Sequence, residues 1–366
     1  MDTKDTNTDL NSPGAVVPDA APSPMQTELA IEGGEEVPIL GGQEKEQKKS
    51  PTPFQDSLRR LRRDKRAMVS LGIMIFFILL PIFGPLIYTH IGGTVVSPTS
   101  GTISPAAYHS PFHVELDSQD QGPSAQYWLG TDAVGRDLFA RLMQGLLISI
   151  SVALAVEVVD VLLGITIGVL AGFYGGWIDQ LLARFTDIMF AFPGLLFAIL
   201  LTGIFGYQAD TIFSKIPIIG ANGNARLILV SLALAMTTWP LMARYVRGQT
   251  LQLKEQQFVE AARTSGTSNT QIISRHIVPN LFSIVIIAAT LNISGTIIGE
   301  AGLSFLGLGV QPPGSSLGLM INDALDLTQT HPWEVLLPSI VLTIIVLALS
   351  FLGDGLRDAF DPRSKD

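Results

Sequence analysis

Glu157 and Asp160 stand three residues apart within an otherwise apolar run from Gly145 to Phe173. On a helix that spacing puts both carboxylates on one face. At membrane depth a charge costs several kcal/mol, so such groups face protein or a water-filled path, or carry a proton. Contact with a peptide amino group or another cation in a translocation pathway is one chemistry this predicts. Pairing with a second subunit, or an internal hydrogen bond, is the other. Asn292, Ser294 and Thr296 lie in a later apolar run, and as cheaper polar groups they either line the same path or bond between helices.

Other chemistries are excluded or unsupported. None of the eight lysines follows a glycine, so the phosphate-cradling loop G-x-x-x-x-G-K-[ST] does not occur and ATP, if it drives this protein, binds another chain. The five histidines include no i, i+4 pair flanking a glutamate; His109 and His113 come nearest, in a Pro- and Ser-containing stretch that reads as a solvated loop rather than a metal site. No serine sits in a G-x-S-x-G setting, and Ser265 and Ser304 have no acid and base arranged nearby. The absence of cysteine removes disulfides, thiolate metal sites and cysteine nucleophiles. No catalytic residue, metal ligand set or cofactor is expected on this chain.

The elements that position these residues are membrane helices. Of 366 residues 47% are hydrophobic and only 15% charged, well below the charge of a soluble domain, and the mean hydropathy is +0.40. About 20 apolar residues cross a bilayer core, and six such runs occur: Met68 to Ile91, Gly145 to Phe173, Phe185 to Phe205, Leu227 to Ala243, Leu281 to Gly299 and Val335 to Leu352. Lipid offers no partner to unpaired backbone groups, so these are helices and the fold class is an all-α membrane bundle with six spans. Pro81, Gly84, Pro85, Pro193, Gly194 and Pro240 interrupt them, which predicts kinks.

Charge placement gives the orientation. Residues 1–50 carry net −6, whereas residues 56–66 (DSLRRLRRDKR) carry net +4 directly before the first span. Arg244, Arg247, Lys254, Arg263 and Arg275 lie between the fourth and fifth spans, and Arg357, Arg363 and Lys365 follow the sixth, while Glu300 to Glu334 holds no lysine or arginine. Both termini inside satisfies all of these. The expected organisation is an acidic, disordered cytoplasmic tail over 1–55, a basic flank and first span over 56–91, and an extracytoplasmic connection over 92–144 whose Pro-rich start is not one compact domain. A core over 145–356 and a cytoplasmic end over 357–366 complete it. The basic flank has the placement of an orientation signal against anionic lipid, and the acidic total gives no sign of a nucleic-acid partner.

Between the fourth and fifth spans, residues Gln256 to Arg263 favour helix, Thr264, Ser265 and Gly266 break it, and a second helical run leads to Pro279 at the start of the fifth span. Gly266 supplies a backbone conformation denied to larger residues. A short exposed helix held between two membrane helices is a lever between a soluble partner and the bundle; a plain connecting loop is the other reading.

The residues Glu260, Ala261, Ala262 and Gly266, followed by His276, Ile277, Val278 and Pro279, resemble the EAA loop of bacterial ABC importer permeases. In the dipeptide and oligopeptide branch the pattern is EAAR, then G, then about a dozen residues on RHILPN; Val278 stands where leucine is usual. Three further motifs agree in order: LGTDAVGRD over 129–137, LSFLGLGVQPP over 303–313 and DGLRDAFDPR over 354–363. The resemblance runs from about Phe54 to Arg363 and is nearest to the second, C-type permease of a peptide or nickel importer in the inner membrane.

That resemblance implies a type I permease bundle working with a second permease subunit, two ATP-binding cassette subunits that hold ATP and Mg, and an extracytoplasmic substrate-binding protein. It implies that the coupling loop over 244–280 presents Gln256 to Thr264 as the helix docking on an ATPase. Glu260 then pairs with a base on the ATPase or caps a local amide, while Ala261 and Ala262 allow close approach. An ATPase-independent secondary transporter or channel is the alternative, and a membrane scaffold recruiting partners through its acidic tail is a third.

Overall fold

Asp64 starts the first membrane helix. In the computed structural model, which describes residues 53–98, 101–216 and 221–360, its carboxylate accepts from the Arg66 and Ala67 amides at 2.8 and 3.4 Å. Two of the donors that a helix N-terminus leaves over are thereby satisfied. Asp64 thus divides the basic run into α1 (Pro53–Leu61) and α2 (Lys65–Tyr88), and α2 continues through Pro81 and Pro85. The acidic tail over 1–50, Arg363 and Lys365 lie outside the described residues.

The connection after α2 is more organised than its composition predicts. Strands β1 (Val95–Ser97) and β2 (Gly101–Ile103) pair antiparallel with Val95 opposite Ile103, so the all-helical bundle carries a small hairpin. After the one-turn helix α3 (Pro105–Tyr108), Tyr108 and Tyr127 stack with ring centroids 4.8 Å apart, buried with Ile103. The solvated-loop reading of His109 and His113 fails here: His109 is buried, with Nδ1 2.8 Å from Asp137 Oδ2, and His113 is half-buried. Aromatic side chains from both ends of the segment supply a core that a scan for long apolar runs passes over.

The chain continues as α4 (Leu138–Tyr174), α5 (Gly176–Ala191), α6 (Gly194–Phe213), α7 (Leu227–Leu253) and α8 (Gln257–Thr264). It ends with α9 (Asn269–Ile272), α10 (Val278–Phe305), α11 (Leu317–Asp323) and α12 (Pro332–Phe360). Six helical stretches are long and apolar enough to cross a membrane: α2, α4, α6, α7 with the turn before it, α9 through α10, and α12.

The third span is not Phe185 to Phe205. Pro193 has no amide hydrogen and forces Phe192 into extended backbone, with ψ 131°, as a residue preceding proline prefers. The run divides there into α5 and a span formed by α6. Glu300 likewise lies inside α10 rather than in a connection. The second, fourth and sixth helices overrun their apolar runs, because packing continues where contact with lipid ends.

The α4 helix contributes to three apolar cores: Leu142 and Leu146 with α2, α11 and α12; Val152 and Val156 with α6 and α7; Val169 and Phe173 with α7 through α10. Its seam with α7 is made of glycine. A Cβ on Gly168 would stand 2.6 Å from Ala243 O and 2.7 Å from Val246 Cβ, and one on Gly172 would stand 2.8 Å from Thr250 Cβ. Backbones meet this closely in membrane bundles through small residues on one face. Large apolar side chains on α2, α6 and α12 remain exposed, as a helix bundle with lipid for solvent requires.

Candidate translocation site and coupling surface

The α4–α10 contact carries Glu157 and Asp160 to Asn292. From α10, Asn292 Nδ2 donates to Glu157 Oε2 at 3.0 Å and to Asp160 Oδ2 at 2.6 Å. One amide group thus uses both hydrogens to bridge the carboxylates, and all three residues sit beside helices of the central bundle. Glu157 and Asp160 are 6% and 0% exposed. Glu157 Oε1 remains buried without a hydrogen-bond partner. Two carboxylates sharing one neutral donor leave an excess of acceptors, a setting that attracts a cation or a proton.

The other two predicted pathway residues are not brought to this cluster. Thr296 Oγ1 donates to Asn292 O at 3.1 Å, one turn back in its own helix. Ser294 is buried, but two residues on from Asn292 the helix has turned about 200°, and its hydroxyl makes no hydrogen bond among the described residues. Sequence reasoning missed Glu300, which is fully buried and accepts from Ser149 Oγ at 2.5 Å and Ser304 Oγ at 2.7 Å. Its position among small apolar residues was the available signal.

At the far end of α4, α8 projects as a separate short helix. Its Val259 is fully buried in the core made by α4, α7, α9 and α10, and the Arg263 guanidinium lies 5.4 Å from the Phe173 ring centroid. Phe258, Glu260, Ala261 and Thr264 are exposed. Gly266 has φ +78°, and the amides of Gly266 and Thr267 donate to the carbonyls of Arg263 and Ala262 at 3.0 and 3.1 Å. That is the paired closure of a helix ending on a left-handed residue. A Cβ at Gly266 would meet nothing within 4 Å, so conformation and not space selects glycine. The Glu260 carboxylate caps no amide and joins no ion pair among the described residues.

Pro279 stands at the second position of α10, but helix precedes it: Asn269 to Phe305 is one run, with a π-type turn over Ile273–Ile277. The wider turn falls just ahead of the position where proline interrupts the ladder. Arg247 and Arg244 fasten α5 to the end of α7. Arg247 makes two bonds to Asp179, at 2.5 and 2.7 Å, and Arg244 one to Asp187 at 2.8 Å. The hydrogen bonds from Arg247, aided by its charge, hold the Asp179 carboxyl below the usual carboxylate range although burial opposes them.

At the start of α4, the motif LGTDAVGRD is a latch. Asp137 caps α4 through the Phe139 and Ala140 amides while its other oxygen accepts from Tyr88 Oη at 2.7 Å and meets His109. Asp132 receives Arg136 Nε at 2.7 Å and the buried Arg141 Nη1 at 2.6 Å, and Arg141 Nη2 reaches Asp323 of α11 at 2.9 Å. Sequence alone did not pair residues so far apart along the chain.

A bundle of six apolar helices with buried carboxylates facing an amide and an anchored helix outside it defines a multi-pass membrane transport subunit. The chain belongs to the family described as binding-protein-dependent transport system inner membrane component, which matches residues 164–366; residues 52–96 match the N-terminal TM domain of oligopeptide transport permease C. It is a permease subunit of an ABC importer. The dipeptide transport system permease protein DppC of Alkalihalophilus pseudofirmus is 36% identical over 314 residues, 86% of this chain and 91% of that one. The oligopeptide transport system permease protein OppC of Bacillus subtilis is 36% identical over 88% of this chain and 94% of that one. The glutathione transport system permease protein GsiD of Pectobacterium atrosepticum is 38% identical over 70% and 80%. Among solved structures, an inward-facing form of the MetNI methionine ABC transporter aligns with 60% of this chain and 96% of that one at 18% identity and a TM-score of 0.45.

Proposed function

We propose that the chain forms part of the translocation pathway of an ATP-driven importer for peptides or similar small solutes, and that α8 is the surface through which an ATPase subunit moves it. The observation that carries this reading is α8 itself: exposed on its outer face, yet fastened through Val259 to three membrane helices and closed at Gly266. A body held in this way transmits a displacement to the bundle instead of absorbing it, and ATP binding then shifts the balance between inward-open and outward-open states. The complex contains a second permease subunit, two ATP-binding cassette subunits carrying ATP and Mg, and an external substrate-binding protein. The chain itself contributes no covalent chemistry. Both termini face the cytoplasm, in keeping with the basic residues that flank the spans.

Glu157 and Asp160 contact the amino group of the passing solute, with Asn292 holding the two carboxylates ready. Peptide substrates agree with the names of the dipeptide and oligopeptide relatives. Because the chain has no cysteine, Ala261→Cys introduces a single thiol on α8. In the assembled transporter it is expected to cross-link to an ATPase subunit, with a yield that changes on ATP binding. Absence of that cross-link from Ala261→Cys and from Thr264→Cys, both exposed on α8, where a thiol placed outside α8 gives one, overturns the coupling assignment. Transport of a cationic peptide by the double variant Glu157→Gln, Asp160→Asn at the parental rate overturns the pathway assignment.

A further inference from the structure

We propose that Asp120, His331 and Glu334 form a binding site for a divalent first-row transition metal ion, best fitted by zinc, that joins the connection before α4 to the first turn of α12. Their ligand atoms all lie within 4.8 Å of one another. Glu334 is 2% exposed, and its Oε1 is buried with no hydrogen-bond partner. Asp120 Oδ1 and His331 Nδ1 are buried and unpartnered as well. Each of the three clustered residues thus carries a buried polar atom without a partner, and a buried acceptor left unpaired costs about 1–3 kcal/mol. An ion that accepts lone pairs satisfies all three at once.

The backbone is arranged to bring them together. Asp120 has φ +50°, the one non-glycine positive φ among the described residues, and its amide donates to Asp132 O at 3.1 Å. The His331 amide donates to Leu327 O at 2.7 Å and the Glu334 amide to His331 O at 3.2 Å, which sets both side chains on the turn that opens α12. Charge points the same way. Around the site lie the carboxylates of Asp120, Glu334, Asp132 and Asp323 and the guanidiniums of Arg136 and Arg141, both already bonded to Asp132 and Asp323. With both ligand carboxylates ionised, as metal binding requires, the balance is −2, which one divalent cation cancels.

An imidazole nitrogen with two carboxylates suits zinc and its neighbours better than magnesium or calcium, which prefer all-oxygen sites. Tetrahedral zinc sets neighbouring ligands about 3.4 Å apart, so the side chains draw in slightly as the ion enters. Beside Glu334 opens a cavity of about 360 Å³, lined in part by Asp132, Arg141 and Asp323. It has room for the water that fills a fourth position. Sequence spacing held no sign of this site because Asp120 and His331 are more than 200 residues apart.

The test uses the full chain purified in detergent, stripped with a chelator and titrated with Zn²⁺, with Co²⁺ as a visible spectroscopic probe. The expected results are saturable Zn²⁺ binding, Co²⁺ absorption bands displaced by Zn²⁺, and a higher Tm in the presence of the metal. His331→Asn and Asp120→Asn are each expected to weaken binding by about a hundredfold or more, at or beyond the top of the range for losing a mere outer-shell partner, and His113→Asn to leave it unchanged. Three results overturn the proposal: no saturable binding by the unaltered chain, affinity unchanged in both ligand variants, or Mg²⁺ binding as tight as Zn²⁺. The measurement on the unaltered chain stands even if a variant fails to fold.

Discussion

Replacing Gly266 separates the conformation of the turn after α8 from its packing. A Cβ there meets nothing within 4 Å, so a larger residue changes only the cost of holding φ near +78°. For an L-residue in the left-handed region that cost is about 1–2 kcal/mol, and a β-branched side chain stands at the upper end. Gly266→Val therefore reduces the population of the closed turn roughly five- to thirtyfold, while Gly266→Asn, whose side chain tolerates this region, keeps most of it. Val259 still anchors the middle of α8 in the core, so membrane insertion and the yield of the chain are expected to hold. The assay is ATP hydrolysis by the reconstituted complex, stimulated by the loaded binding protein. Stimulation is expected to rank Gly, Asn, Ala, Val, with basal hydrolysis by the isolated ATPases unchanged. Equal stimulation in Gly266→Val and Gly266→Asn would refute the reasoning, since a turn that tolerates the lost conformation is not what holds α8.

The remaining predictions concern how the bundle is held. Gly168→Val drives a side chain into Ala243 O and Val246 and is expected to destabilise the α4–α7 seam by about 1–3 kcal/mol, read as a lower Tm in detergent. Gly248→Ala, with nothing within 4 Å of the new atom, serves as the control and is expected to be neutral or stabilising. At Asp179 the carboxyl is held low by Arg247, so the pair stabilises the fold above the unfolded carboxylate pKa of about 3.9 and the gain is lost as pH falls through the lower folded value. Asp179→Asn thus lowers stability at pH 7 by an amount typical of a part-exposed pair, up to about 1 kcal/mol, read as a lower Tm, and the gap to the unaltered chain closes in acid. A gap that widens in acid counts against this pairing. Asn292→Leu removes the only described donor shared by Glu157 and Asp160 and leaves buried acceptors unpaired, so it is expected to destabilise the α4–α10 contact by about 1–3 kcal/mol, read as a lower Tm in detergent, whereas an unchanged Tm counts against the bridge.

Apolar run length fixed the class of fold and the number of spans, because lipid as a solvent leaves a helix no choice but to be about 20 residues long and self-bonded. The break at Gly266 was equally legible, since glycine, a preceding helical run and a polar exit are local signals acting over a few residues. The same local logic misplaced the third span: apolar content ran on across Phe192 and Pro193, but a missing amide hydrogen ended the helix. Glu157 and Asp160 announced themselves as a pair by spacing along one helix. That Asn292 bridges them, and that Ser294 does not, depended on how α10 rotates against α4.

Longer range still, nothing along the chain marked Arg141 as the partner of both Asp132 and Asp323, or His331 and Glu334 as neighbours of Asp120. Periodicity and capping act between residues a turn or two apart and can be read in one dimension. Pairing across helices is settled by which small residues let two backbones approach, here Gly164, Gly168 and Gly172 against α7, and only the folded bundle decides which distant polar groups that approach brings within bonding distance.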